Sequence, residues 1–414
     1  MQIAAHIDGR IPSSNPQEST DDRGLARLLG EIDALVPLIA ASATRAEADR
    51  RVPRHIQQRL KTAGLYRMVL PRSLGGLNLD PAAFMEVVQR VARVDGSLGW
   101  LAAVAGIGPL FAPVLGSERF GSLYSAGPDL AFSASSQPSG TVEAVADGWR
   151  VNGRWPFASG CNDADWILVH CRVIENGQPV PGMAPGMPAT RFALLPKAQV
   201  QIADSWYAMG LRATDSHHVV VENVIIPVSD AVDLATGQPC ISGPLYKSPF
   251  QIVALAHNPI ALGIAEAALD DLLAMAHGGR HQLNAATAQK ESGIFRYEVA
   301  QIQADLRAVQ AYSDASIKRL WEGLQAGTVP PGPPLPETLQ ASVWVTQACR
   351  KIVRGCFELG GGSVVYDTSP LQRRLRDIEV AAQHTLVQRR NYEMIGEAIL
   401  ANSEPNGASS LAKS

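Results

Sequence analysis

The sequence predicts an α+β multi-domain fold: an N-terminal helical domain, a central β-barrel or sandwich domain, and a C-terminal four-helix bundle. Three observations carry this. Apolar residues recur at helical spacing up to about residue 126, strand-like runs follow, and helical spacing returns beyond about residue 249. Hydrophobic residues are 46% and charged residues 18% of the chain, enough apolar surface for a large core. The 414 residues are two or three domains' worth of chain. The expected boundaries are a flexible N-terminus over 1–21, a helical domain over 22–126, a β-domain over 127–240, a bundle over 241–402 and a tail over 403–414.

In the first domain, Leu25, Leu28, Leu29, Ile32, Leu35, Val36 and Ile39 lie on one helical stripe, with Pro37 as a kink. A second helix runs from Pro53 to Ala63 and stops at Gly64. Asp80-Pro81 opens a third, with Phe84, Val87, Val88 and Val91 on its apolar face. The stretch Leu98 to Leu115 is long enough to span a bilayer, but its glycines and prolines would free backbone groups that lipid cannot satisfy. It reads as two buried helical pieces, and no membrane role is expected.

In the β-domain, Trp149 to Trp155 reads as a strand pair about an Asn152-Gly153 turn. Trp166–Cys171, Arg191–Leu195 and His218–Ile226 read as further strands, with a loop over Gly177–Pro188. In the bundle, Ile260–Ala276, Phe295–Leu324, Pro336–Leu359 and a run from Pro370 to about Leu400 are the four helices.

Charge and motifs exclude several functions. The net charge is -3, without the basic excess of a nucleic-acid binder. Five cysteines without a CxxC pair fit a reducing, cytoplasmic compartment rather than a disulfide framework. No GxxxxGK[ST], GxGxxG after a strand, HExxH or GxSxG occurs, so no nucleotide triphosphate, nicotinamide or metal site is expected. His217 and His218 are neighbours in a strand and point to opposite faces, so they cannot clamp one metal.

Five stretches in order resemble the acyl-CoA dehydrogenase fold. They are Gly64–Pro71 with Leu74-Gly-Gly76, Val91–Gly99, Trp155–Gly160 with Trp166, Met209–Ser216, and Leu359–Gly362 with Arg373–Asp377. The departure lies after Arg376-Asp377. Where the dehydrogenases carry a catalytic Glu, this chain has about Thr385, whose hydroxyl is too weak a base, and Glu379 falls six residues early. Gln383-His384 instead resembles the flavin-dependent monooxygenases of this fold, the oxygenase halves of two-component systems such as the hydroxyphenylacetate and seco-steroid hydroxylases and the dibenzothiophene monooxygenases.

That resemblance implies a chain that takes reduced FMN or FAD from a separate NAD(P)H:flavin reductase. With O2 it would form a C4a-hydroperoxyflavin and hydroxylate an aromatic or polycyclic substrate, or oxidise sulfur or nitrogen. It implies His384 as the catalytic, substrate-contacting group, a proton acceptor whose ordinary pKa lies near working pH. Asp377, two turns earlier on the expected helix, suits a bond to a neighbouring loop rather than to the imidazole. It implies Phe157 and Ser159 at the flavin ring, with Ser159 near N5. Ser133 and Ser135 belong to the preceding flavin loop, and Gly360, Gly361 and Gly362 to a close backbone approach. Arg280 would reach a flavin phosphate, with Arg212 as anchor or contact, and Trp206 would border a small hydrophobic or aromatic substrate. Short hydroxyls also cap turns, and Trp155 and Trp166 also suit a core. A homotetramer is expected. The alternatives are a dehydrogenase or oxidase of the same fold with another base, or a scaffold that binds no flavin.

Overall fold

A computed structural model describes residues 22–183, 186–279 and 287–403. The N-terminal helices are α1 (Asp22–Asp49), α2 (Arg54–Ala63), α3 (Pro81–Val94), α4 (Gly96–Ala105), α5 (Ile107–Phe111) and α6 (Ser117–Leu123). Their starts and stops follow local chemistry. Gly64 ends α2 at φ 117°, a conformation that glycine adopts freely. Asp80 accepts from Ala83 N at the start of α3, and Asp95 accepts from Leu98 N at the start of α4. Pro37 sits inside α1, which runs through it. Among the described residues two stretches, Gly96–Leu115 and Pro249–His277, are long and apolar enough to cross a membrane, and both are buried inside the fold over most of their length.

The strands are β1 (Phe132–Val145), β2 (Gly148–Ala158), β3 (Trp166–Glu175), β4 (Gln178–Pro179), β5 (Thr190–Pro196), β6 (Gln201–Ala203), β7 (His217–Ile226) and β8 (Ala231–Val232). They form one mixed sheet, ordered β6-β7-β2-β1-β3-β5-β8, with β4 on the edge of β3 and β1/β3 the parallel pair. This refines the expected barrel or sandwich: one sheet curls until β5 touches β7, around a core of its own. Trp155 lies fully buried there, and its indole N–H donates to His170 O at 2.5 Å.

The expected hairpin at Asn152-Gly153 is not present. β2 runs straight through both residues, and the β1/β2 turn falls before Gly148 at φ 146°. Gly153 is instead needed for contact: an added Cβ would stand 2.5 Å from Gly140 Cα. Asn152 uses its side-chain carbonyl to accept Asn223 N at 2.7 Å across the β2/β7 irregularity.

The C-terminal helices are α7 (Pro244–Lys247), α8 (Pro249–Leu255), α9 (His257–His277), α10 (Gly293–Ala326), α11 (Pro336–Gly360), α12 (Pro370–Ala381) and α13 (Asn391–Ser403). α9 packs against α3, α10, α11 and α12 and is the spine joining the bundle to the N-terminal helices. The single last helix expected from Pro370 to Leu400 is broken after Ala381, and a short 3-10 turn at Thr385–Val387 separates α12 from α13.

Candidate active site

That break places His384. It stands at the start of the 3-10 turn rather than on the face of a helix. Leu386 N–H donates to its Nδ1 at 3.4 Å. Burial pushes its pKa down to about 4, so the ring is neutral at ordinary pH. With Nδ1 accepting, the neutral ring carries its hydrogen on Nε2 and presents a donor. The sequence suggested a proton acceptor here; in this geometry Nδ1 is already engaged by Leu386 N–H.

Two residues that sequence reasoning missed complete the cluster. Trp100, from α4, meets His384 edge-on with ring centroids 5.6 Å apart. His257, the first residue of α9, meets Trp100 at 5.3 Å and His384 at 4.3 Å. Burial, then the neighbouring His384, holds the His257 pKa well below its ordinary value. The available signal was the polar pair His257-Asn258 opening a helix whose next two turns are apolar. Trp100 carried no such mark.

Trp100 links the histidines to the β-domain. Its indole N–H donates to Ser159 Oγ at 3.1 Å. Ser159 Oγ lies 2.7 Å from Ser216 Oγ, which lies 2.7 Å from Thr214 Oγ1, which donates to Leu211 O at 2.8 Å. Ser159 follows an unusual backbone: Phe157 has φ 62°, and its ring is 62% exposed. Leu211 and Asp215 also have positive φ, at 48° and 54°. Three bulky residues in this region beside one hydroxyl chain are strain concentrated at a candidate site.

The strained loop is tied to the bundle. Asp377 Oδ1 accepts Leu211 N–H at 2.6 Å, the loop bond that the sequence suggested. Burial, then Asp95, pushes the Asp377 pKa up to about 7. Arg376 donates to Met209 O at 2.6 Å and holds Glu47 of α1 with both nitrogens, at 2.7 and 2.9 Å. Gly210 allows this approach, since an added Cβ would stand 2.0 Å from Arg376 O.

The other sequence candidates fall as follows. Trp206 donates its indole N–H to Leu211 O at 3.1 Å and meets Phe157 edge-on at 6.2 Å. Ser135 is buried and donates to Pro156 O at 2.7 Å, so its hydroxyl braces the Phe157 segment. Ser133 is fully buried, and its Oγ has no hydrogen-bond partner among the described residues. The Arg212 Nε is likewise buried without one. Gly360–Gly362 sit at the end of α11, Gly361 at φ 62°, outside the hydrogen bonds and ring contacts that join Ser159 to His384. Arg280 lies outside the described residues. Trp166 is half-buried under the Arg119 guanidinium, and His217 and His218 make separate contacts, with Asp215 at 3.2 Å and with Arg154 at 3.0 Å.

Neither position considered for a dehydrogenase base is placed for it. The Thr385 position is exposed, and Asn391 donates to its carbonyl. Burial alone would raise the Glu379 pKa, but hydrogen bonds from Arg350 and Arg354 outweigh it and hold the pKa below its usual value.

Comparison with known proteins agrees with the fold. The family description "Acyl-CoA dehydrogenase, N-terminal domain" matches residues 36–118, and "Acyl-CoA dehydrogenase, C-terminal domain" matches residues 255–389. The chain is 31% identical over 371 residues to an indole-3-acetate monooxygenase of Pseudomonas putida, covering 88% of this chain and 92% of that protein. It is 27% identical over 364 residues to the flavin-dependent monooxygenase oxygenase subunit HsaA of Rhodococcus jostii, covering 85% and 92%. The crystal structure of a 3-HSA hydroxylase from Rhodococcus sp. RHA1 superimposes with a TM-score of 0.82 at 25% identity, over 91% of this chain and 97% of that one. The chain belongs to the flavin-dependent monooxygenases built on the acyl-CoA dehydrogenase fold, the oxygenase components that use reduced flavin and O2 on aromatic substrates.

Proposed function

We propose that this chain hydroxylates a small aromatic compound bearing a ring hydroxyl, at the site between Ser159 and His384. The observation that carries the reading is that these two residues, distant in the chain, meet through one tryptophan ring. The flavin is reduced by a separate reductase.

The residues present suit a flavin. Ser133 offers a buried hydroxyl with no partner, Phe157 presents an exposed ring, and Ser159 lies beside it. We assign Phe157 and Ser159 to the flavin ring, with Ser159 at N5, and Ser133 to the ring edge. Ser135 acts by holding Pro156, and Arg212, Arg280 and Gly360–Gly362 are assigned to the rest of the cofactor. Reduced flavin, when bound, activates O2 and supplies the electrophilic oxygen atom.

The protein's own part is positioning. His384 donates from Nε2 to the substrate's ring oxygen, which favours an electron-rich, ionised ring oxygen. His257, Trp100 and Trp206 give the substrate apolar ring edges, and stacking geometry fixes which ring carbon faces the cofactor. We further propose a cytoplasmic homotetramer. The described cysteines are all free thiols. Exposed apolar residues gather on the bundle, with Ile294 at 76%, Tyr297 at 61% and Tyr366 at 67% exposure, a pattern that marks an interface.

The test is turnover of chemically reduced FMN or FAD with O2 and a panel of phenols and indoles, with no reductase present. Hydroxylated product supports the reading. Flavin oxidation that gives only H2O2 with every aromatic, or bleaching of oxidised flavin by an acyl thioester, overturns it.

A further inference from the structure

The hydroxyl chain that starts at Trp100 has a fixed direction, because both of its ends are one-way groups. An indole N–H can only donate and a backbone carbonyl can only accept. Thr214 spends its one hydrogen on Leu211 O at 2.8 Å. Between Thr214 and Ser216, 2.7 Å apart, Ser216 must therefore donate. Its hydrogen is then spent, so between Ser216 and Ser159, also 2.7 Å apart, Ser159 must donate. Trp100 meanwhile donates to Ser159 at 3.1 Å. The Ser159 backbone N–H is also used, on Phe157 O at 3.0 Å. What Ser159 has left is one lone pair: toward any ligand it is an acceptor and not a donor.

The anchor at Leu211 is firm. Its carbonyl receives the Thr214 hydroxyl, the Thr214 N–H at 3.1 Å and the Trp206 indole at 3.1 Å, while its own N–H is held by Asp377 at 2.6 Å. Thr214, Ser216 and Ser159 are buried, at 1%, 4% and 6% exposure, so bulk water does not rescramble the pattern.

We infer that Ser216 and Thr214 are positioning residues that hold Ser159 as an acceptor, and so make the site select a cofactor presenting an N–H over one presenting a lone pair. This rests on the proposed placement of Ser159 at flavin N5. Reduced flavin carries hydrogen on N5 and can donate to Ser159. Oxidised flavin carries a lone pair there and faces another lone pair. The site thus discriminates by redox state before any substrate arrives. It takes up what a reductase delivers and releases the spent form. No covalent step is involved; a hydrogen bond is made in one state and a repulsion in the other.

The experiment measures dissociation constants of oxidised flavin, by fluorescence, and of reduced flavin, by anaerobic titration, for the wild type and four variants. Ser216→Ala frees the Ser159 hydrogen to turn toward N5. The ratio of oxidised to reduced constants should fall about tenfold, chiefly through tighter binding of oxidised flavin. For a two-electron couple, that tenfold change lowers the bound-flavin potential by about 30 mV. Thr214→Val, at the far end of the chain, should act in the same direction. Ser216→Thr keeps a hydroxyl and should keep the ratio. Ser159→Ala should weaken reduced flavin and relieve the repulsion on oxidised flavin, so that the two constants converge. If Ser159→Ala has its effect while Ser216→Ala and Thr214→Val leave the ratio unchanged, the directional chain is wrong. If Ser159→Ala changes neither constant, Ser159 does not face N5, and the placement on which the inference rests fails first.

Discussion

His384 is decided by a single backbone contact. On a continuous helix its Nδ1 would have had no backbone N–H free to meet it, and either ring nitrogen could have faced the substrate. Breaking α12 after Ala381 turns Leu386 N–H onto Nδ1. A neutral ring whose pKa is pushed down to about 4 is a weak base and a usable donor. His384→Gln, which keeps an N–H donor, should therefore retain turnover within about tenfold, while His384→Ala should lose on the order of a hundredfold. Equal losses in both would restore the base. The pH profile of kcat/KM separates the roles as well. The free enzyme should show no histidine limb near pH 6.5, and any acid limb from His384 should lie near pH 4. Trp100 and His257 could not be assigned from their neighbours in the sequence, because ring contacts between α4, α9 and the α12–α13 turn exist only after the helices pack.

At the scale of elements, legibility tracked local physics. The helix start at Asp80 and the stop at Gly64 were readable because the capping side chain or glycine sits next to the end it makes. The turn assigned to Asn152-Gly153 was misplaced because Gly153 answers to Gly140 across the strand, a contact that local sequence does not encode. The last helix was read as one run because Thr385–Val387 breaks it without a proline or glycine. The site's key brace is also long-range: Asp377 on α12 holds Leu211 on the β-domain loop. Its folded pKa of about 7 lies above its ordinary value of 3.8, so its contribution to stability is fully present at low pH and lost as pH rises through 7. Asp377→Asn keeps an acceptor for Leu211 N–H and removes that titration. Relative to wild type, the variant should gain stability as pH rises from about 4 to about 7, by up to roughly 4 kcal/mol in all. A difference independent of pH, read from denaturant midpoints, contradicts the buried-carboxyl account.

The whole molecule divides its labour by architecture. The curled sheet supplies Ser159 and Phe157, the N-terminal helices supply Trp100, and the bundle supplies His257 and His384. The order of helical, β and helical zones was legible from apolar periodicity alone; the convergence of the three zones on one hydroxyl chain was not. Exposed apolar residues of the bundle support the proposed tetramer, for which light scattering should give about four chain masses; a monomer that turns over at full rate contradicts it. The central claim is that oxygen from O2 reaches an aromatic substrate at this site, using reduced flavin delivered from outside. The direct measurement supplies chemically reduced flavin, isotopically heavy O2 and an accepted phenol or indole, with no reductase, and weighs the product. One heavy oxygen atom per product molecule is the expected result, with the amount of product falling on the order of a hundredfold in His384→Ala. Product carrying oxygen from water, or none formed while the flavin is consumed, contradicts the account.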